Sequence, residues 1–405
     1  MRKQKRKRVT LALALFLIDC IVVTGCGAGV EGNTKGNEAV QMTAETVSNM
    51  HDVSVLFINA GKADSVLVQV DDKAYLIDTG EKESVPAIYR ALESKGVHTL
   101  EGVFLTHKHS DHIGGLRAVS QRYKIGTVYS ADISQNEASG ENKVDTLVQG
   151  INLPHTKLAA GDKVEITEEV AFEVIGPIAY NAKDDNDNSL VLRLTVNGKT
   201  FLFTGDMQFA EEKTLLMEGV NLAADVLKVG NHGNPDATSR DFAEAVSPKL
   251  AIISTDTAID TDSANKRVQD LFSNSQIYVT QDFKVGIGVT VDKTGALHVK
   301  DSMVQETKID LSIVDVSKKK QTITLKNYGS DVDLTGYFIY STQGAEVFNF
   351  PKGSILRAGQ SITISCTENE GDYFWNDRKV WSSKKEDTAI LYDKYGNELV
   401  THLSQ

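Results

Sequence analysis

Between about residues 53 and 300, short apolar runs alternate with amphipathic stretches. The runs at 53–58, 66–70, 74–77, 102–105, 127–129, 172–174, 190–196, 200–203, 226–229, 250–253, 277–279 and 285–291 read as strands. Segments 85–94, 113–122, 209–218, 239–246 and 265–272 repeat their apolar positions at helical spacing. Asp71-Asp72 falls between two strand-like runs and reads as a hairpin turn. The first part is meander-like, and later strands alternate with helices. That order predicts a layered α/β fold with sheets inside and helices outside. From about 308 the texture changes. Runs at 322–325, 334–340, 361–365 and 389–392 are separated by turn residues, and no helical period appears. About 95 residues of this kind fit a β-sandwich, so the boundary is expected near 301–308.

The N-terminus has a different pattern. Residues 2–8 carry six positive charges, and an apolar run from Val9 to Val23 follows, interrupted at Asp19 and Cys20. This is the layout of a secretory signal, and it is shorter than the roughly 20 residues a spanning helix needs. Val23-Thr24-Gly25-Cys26 resembles a bacterial lipobox, which implies cleavage after residue 25 and lipidation of Cys26. An uncleaved N-terminal anchor is the other reading. Both place the rest of the chain outside the cytoplasm, held to the cell membrane of a bacterium. Residues 26–51 are small and polar, as expected of a tether.

Charge and cysteine content narrow the chemistry. The chain has 43 basic and 55 acidic residues, net −12, which argues against a general nucleic-acid binder. Loss of residues 1–25 removes six basic residues and one acid, leaving net −17. Of that, −15 lies in residues 26–305, so a polyanion meets a repulsive body. Three cysteines exclude a four-cysteine zinc site, and with Cys20 removed and Cys26 lipidated, Cys366 has no intramolecular partner. Any metal must sit on histidines and carboxylates.

Three of the nine histidines fall within six residues, in Thr106-His107-Lys108-His109-Ser110-Asp111-His112. The segment follows an expected strand and precedes an expected helix. Imidazoles and a carboxylate at such a turn can converge on one or two cations, and suit zinc, manganese or iron. The helix start would add N–H donors favouring an anion, and Gly114-Gly115 is expected to keep that mouth open.

His-x-His-x-Asp-His after a strand resembles the metallo-β-lactamase-fold hydrolases. Phe57-Ile58-Asn59-Ala60-Gly61-Lys62-Ala63-Asp64-Ser65, Leu76-Ile77-Asp78-Thr79-Gly80, Asn188-Ser189-Leu190-Val191-Leu192, Phe203-Thr204-Gly205-Asp206 and Leu227-Lys228-Val229-Gly230-Asn231-His232-Gly233 follow in the order of the ComEC-like competence-protein hydrolase domains. The resemblance covers about 250 residues and implies an αββα sandwich over residues 52–302. It implies two divalent metal ions, Zn or Mn, with His107 and His109 on the first, Asp111, His112 and His232 on the second, and Asp206 bridging. Asp111 and Asp206 are the catalytic carboxylates on this reading. The implied activity is hydrolysis by a metal-bound hydroxide, with a phosphodiester, DNA among the candidates, as the anionic substrate.

Three features depart from the family pattern. The third histidine of the first site is absent, with Asp187 or Asn188 as possible substitutes, and Asn231 stands where a histidine is usual. Residues 260–264 also lack the later histidine. His155 reads as a solvated loop histidine, Asp64 and Asp78 as turn groups that orient ligands, and the acidic run 184–187 as a solvated loop. Residues 306–405, with both tryptophans, resemble a lamin-tail domain, which implies an immunoglobulin-like sandwich that binds a cell-surface partner. The rival readings are a surface binding protein with a degenerate metal site, and a metallo-hydrolase of another ester or amide.

Overall fold

The computed structural model describes residues 50–133, 142–305, 307–367, 371–375 and 379–405. The expected signal, the lipidation site Cys26 and all but the end of the tether lie outside the described residues.

Two sheets form the centre of the first domain. The first has strands β1 (Val53–Ile58), β2 (Val66–Val70), β3 (Lys73–Ile77), β4 (Thr99–Leu105), β5 (Lys124–Ala131) and β6 (His155–Leu158). The second has β7 (Lys163–Glu165), β8 (Ala171–Gly176), β9 (Val191–Val196), β10 (Lys199–Phe203), β11 (Val226–Lys228), β12 (Leu250–Ile253) and β13 (Gln276–Val279). Strands β14 (Gly286–Val291) and β15 (Leu297–Asp301) return to the first sheet, giving the order β15-β14-β1-β2-β3-β4-β5-β6. The second runs β13-β12-β11-β10-β9-β8-β7. Each sheet is antiparallel on one side and parallel on the other, the change falling at β3/β4 and at β10/β11.

Strand alternation builds the layers. Val53, Val55 and Phe57 meet Leu192, Leu194, Phe201 and Phe203 between the sheets. Leu56 and Ile58 point the other way, into helices α1 (Val85–Ser94) and α3 (Leu116–Arg122). Leu202, Leu227 and Ala251 point out of the second sheet toward α5 (Phe209–Met217), α6 (Arg240–Val246) and α7 (Lys266–Leu271). The result is the expected αββα sandwich. Strands buried on both faces read as continuous apolar runs, which is why they were visible in the sequence.

Some elements differ from expectation. The segment 113–122 is not one helix. A single turn, α2 (Ser110–Ile113), is followed by a break at Gly114-Gly115 before α3. A Cβ on Gly115 would lie 2.1 Å from Thr79 O, and one on Gly114 would lie 2.5 Å from Ser110 O. These glycines therefore allow close packing on the segment after β3; they do not keep a mouth open. Helix α4 (Lys143–Gly150) escaped notice because it buries only Val144 and Val148 and depends on an Asn142 cap that accepts from Val144 N and Asp145 N. His155 is not in a loop; it opens β6, with Nε2 2.9 Å from Ser130 Oγ.

The chain enters the sandwich at a fixed place. Asn197 Oδ1 accepts from His51 N at 3.1 Å, and Asn197 Nδ2 donates to His51 O at 2.8 Å. Asp71 Oδ1 accepts from Asp52 N at 2.9 Å. Asp71 and Asn197 sit in the β2–β3 and β9–β10 hairpin turns, with φ of 54° and 50°. Both turns lie at the end of the sheets opposite the histidine motif.

The C-terminal region is all β, from β16 (Leu311–Ser317) and β17 (Thr322–Asn327) through β18 (Val332–Asp333), β19 (Phe338–Ser341), β20 (Val347–Asn349), β21 (Ile355–Leu356), β22 (Ser361–Ser365) and β23 (Tyr373–Phe374) to β24 (Thr388–Tyr392) and β25 (Glu398–Leu403). Its larger sheets run β16-β17-β22-β23 and β20-β19-β24-β25. Trp375 and Trp381 are buried between them, ring centroids 5.7 Å apart. β16 was missed because a bulge between Ile313 and Asp315 breaks its alternation.

This region does not hang free. Phe338, Tyr340, Val347 and Tyr392 belong to the same apolar cluster as α1 and α3. Tyr89 meets Phe338 edge-on at 5.0 Å. Arg122 lies 4.7 Å from the Tyr89 ring centre and 5.2 Å from that of Phe338, and donates to Asn349 Oδ1 at 3.2 Å. Among the described residues no helix is long and apolar enough to cross a membrane.

Candidate metal centre

The groups of interest come from strand ends on one side of the sandwich. Asp78 follows β3, the motif follows β4, Asp206 follows β10 and His232 follows β11. Parallel strands deliver their C-terminal loops to one edge, where α/β folds commonly hold ligands.

Asp206 is the hub. Its Oδ2 lies 3.1 Å from His112 Nε2, 3.3 Å from His232 Nε2 and 4.0 Å from His107 Nε2. His232 Nε2 is also 3.7 Å from Asp111 Oδ2, and Lys62 Nζ is 3.7 Å from the same oxygen. His107, His112 and Asp206 form one group able to hold a cation, and Asp111, His112 and His232 form another. Two further groups share Asp64: one with Asp78 and His112, one with Asp206 and His232. His109 meets His107, Nδ1 to Nε2 at 2.9 Å, and is in none of the four groups.

Outer partners fix the rings. Asp78 Oδ2 holds His112 Nδ1 at 2.8 Å and Thr106 Oγ1 at 2.7 Å, and its Oδ1 accepts from Thr106 N at 2.8 Å. Ser254 O holds His232 Nδ1 at 2.9 Å. Ser189 Oγ lies 3.3 Å from His107 Nδ1 and accepts from Asp206 N at 3.1 Å. Each of these three imidazoles thus has one nitrogen held from behind and Nε2 turned inward, as in metal sites.

The electrostatics of the pocket are tense. Burial disfavours charge on His112, yet Asp206 and Asp78 hold its pKa well above the usual range. Burial likewise opposes charge on His232, but Asp206 and Asp64 raise it to about 9. Burial and the neighbouring His112 push His107 well down. Asp206, despite burial, is held well below the carboxylate range by His232 and His112. Buried Asp64 Oδ1, Asp206 Oδ1 and His232 Nε2 have no hydrogen-bond partner among the described residues. Inward-facing imidazole nitrogens, buried carboxylates and three orphaned polar atoms fit a divalent metal centre.

Ser189, Thr106 and Lys228 complete the pocket and were not assigned roles from sequence. For Lys228 a signal existed: it is a lone cation within the apolar run Val226-Leu227-Lys228-Val229. Asp187 and Asn188 are committed elsewhere, Asp187 to the start of α5 and Asn188 to its own loop. Asp187 Oδ1 accepts from Gln208 N and Glu211 N, and Asn188 Oδ1 accepts from Asn181 N. Asn231 and His232 have φ of 43° and 54°, a conformation asparagine tolerates well, and Asn231 Nδ2 donates to Asp236 Oδ1 at 2.9 Å. Residues 260–264, which lack the later histidine, support His232 by backbone instead: Ala264 N donates to His232 O at 3.0 Å.

Glu211 braces the loop that carries Ser189, its Oε1 accepting from Ile178 N at 2.6 Å. Burial, with Asp187 adding to it, raises Glu211 to about 7. The folded chain then holds a proton that the unfolded chain releases near pH 4.5, so this group's effect on stability worsens as pH rises from about 4.5 to 7. Glu211→Gln is expected to flatten stability over pH 5–8, as measured by urea denaturation at each pH. An unchanged slope would exclude Glu211 as its source.

Comparison with known proteins agrees with this fold. A family model described as the metallo-beta-lactamase superfamily matches residues 58–257, and the Lamin Tail Domain model matches residues 304–405. The chain is 30% identical over 184 residues to ComE operon protein 3 of Bacillus subtilis, covering 45% of this chain and 23% of that protein. It is 30% identical over 206 residues to competence protein ComA of Neisseria gonorrhoeae, covering 50% and 27%. It is 27% identical over 143 residues to ribonuclease J of Methanocaldococcus jannaschii, covering 33% and 29%. The matches span about a quarter of the length of these relatives. The chain therefore carries a domain of the metallo-beta-lactamase superfamily, whose members are generally metal-dependent hydrolases, followed by a lamin tail domain.

Proposed function

We propose that the chain is a metal-dependent phosphodiesterase, nuclease-like, held by lipid at Cys26 on the outer side of a bacterial cell membrane. The observation that carries the reading is the convergence of His107, His112 and His232 on Asp206 Oδ2, at 4.0, 3.1 and 3.3 Å. His107, Asp111, His112, Asp206 and His232 would hold two divalent ions, Zn or Mn, with His109 beside His107. Bound divalent ions supply Lewis acidity toward a phosphoryl oxygen.

The chain's own residues do the rest. Asp78, Ser254 O and Ser189 fix the ring nitrogens that face away from the centre. Lys62, about one-third exposed beside Asp111, offers an ammonium to an incoming phosphate. Likeness to the competence proteins and to a ribonuclease favours phosphodiesters over other esters. DNA is the substrate we favour within that class, despite the chain's negative charge. The lamin tail domain would hold a cell-surface partner.

The Asn231–Asp236 bond favours one rival, a binding protein with a degenerate site, because asparagine offers no titrating proton there. One panel separates the readings. The purified chain, with Zn²⁺ or Mn²⁺, is assayed on single-stranded DNA, bis-p-nitrophenyl phosphate and nitrocefin, and its metal content is measured. Metal-dependent diester hydrolysis is expected. Turnover of nitrocefin alone would sink the phosphodiesterase reading. A chain that takes up no metal would leave the binding reading standing.

A further inference from the structure

Asp64, Asp78 and Asp206 are each no more than 3% exposed and share one pocket, with Asp111 at its rim. Buried carboxylates so close together need partners. Asp78 has Thr106 and His112, and Asp206 has His112 and His232. Asp64 has Lys228 as its nearest partner, with His232 Nδ1 3.7 Å from its Oδ1 and His112 Nδ1 3.9 Å from its Oδ2. The Lys228 ammonium, 2% exposed, contacts Asp64 Oδ2, donates to Gly205 O at 2.9 Å and lies 3.7 Å from Asp206 Oδ1.

The connection spans the sandwich. Asp64 lies in the loop between β1 and β2 of the first sheet, while Gly205 and Asp206 form the turn after β10 of the second. Gly205 has φ of 51°, and a Cβ there would lie 2.9 Å from Ser189 and Thr106 side-chain atoms, so the turn is tightly placed. Lys228 ties that turn to Asp64 from the end of β11. Of the four groups able to hold a cation, two use Asp64. An ammonium on Asp64 Oδ2 competes with any ion for that oxygen.

We propose that Lys228 is a positioning residue for the metal centre: a fixed internal cation that withholds Asp64 Oδ2 from the ligand set and sets the Gly205-Asp206 turn before metal arrives. This rests on reading Asp206 and the three histidines as ligands. Lysine suits the task because it is a compact point charge with three donors. One donor serves Asp64, a second serves Gly205 O, and the third is left toward Asp206.

The test compares the full chain, Lys228→Met and Asp64→Asn/Lys228→Met by two readouts. The first is melting after chelator treatment. Lys228→Met is expected to melt on the order of 10 °C lower than wild type, and the double variant to regain most of that loss. The second is the visible absorption of the cobalt(II)-loaded protein. Lys228→Met is expected to change the spectrum as Asp64 joins the ligands, and the double variant to restore it. Equal melting and an identical spectrum in Lys228→Met would overturn the proposal. If Lys228→Met does not fold, the double variant decides: a folded double variant with the wild-type spectrum supports the proposal, and an unfolded one overturns it. A wild type that takes up no cobalt overturns the metal-centre reading, and the melting arm, which needs no metal, tells that failure apart from loss of the counter-ion role.

Discussion

Asp206→Ala should leave the chain nearly free of metal and lower kcat/KM on bis-p-nitrophenyl phosphate by more than the roughly 100-fold that loss of an outer partner costs. The reason is geometric. Three imidazole nitrogens from two different loops approach one carboxylate oxygen, and the other oxygen is buried without a hydrogen-bond partner among the described residues. Removing the carboxylate takes away the oxygen on which the three imidazoles converge, and a member of two of the four groups able to hold a cation. It also takes from His112 and His232 one of the two carboxylates that raise each of them, leaving Asp78 and Asp64 respectively. Metal per chain by mass spectrometry and steady-state rates test this, with circular dichroism as the check on folding. A variant that keeps two ions per chain would show that Asp206 is not the bridge.

A chain ending at residue 305 should lose much of its stability and tend to aggregate. The lamin tail domain covers the outer face of α1 and α3 with Phe338, Tyr340, Val347 and Tyr392. Full burial of such a side chain contributes roughly 1.5–3 kcal/mol, and truncation would bare both sides of the contact. Arg122 would lose Asn349 and the Phe338 ring, and Arg90 would lose its bond to Gly396 O. Thermal melting and size-exclusion chromatography of the shortened chain are the measurements. A monomer that melts like the full chain would mean that the two domains are independent, against the shared core.

The sandwich was legible because its strands are buried on both faces. A run such as Phe201-Leu202-Phe203 sends alternate side chains to two separate cores, and so reads as continuous apolarity. The metal motif was legible because histidine is rare and its spacing is local. Edge elements were not. β7 buries a single residue, Val164, and α4 is held mainly by a cap and two valines. The outer partners were hidden for another reason. Ser189 and Ser254 reach the pocket through the folding of distant loops, and no local pattern marks a serine that holds a histidine. Gly114-Gly115 was misread for the same cause, since the backbone of Thr79 that crowds it is more than thirty residues away.

The latch at His51 gives the molecule an orientation. Its partners Asp71 and Asn197 sit at the base of the sandwich, and the histidine cluster sits at the top. Strand β1, six residues long, runs between the two, a span of roughly 20 Å. Under the proposed lipid anchoring, a tether joined at residue 50 would hold the protein by its base, with the candidate metal centre facing the medium. Substrate would then arrive from the surroundings of the cell, and the surface beneath would be the one place the site does not face.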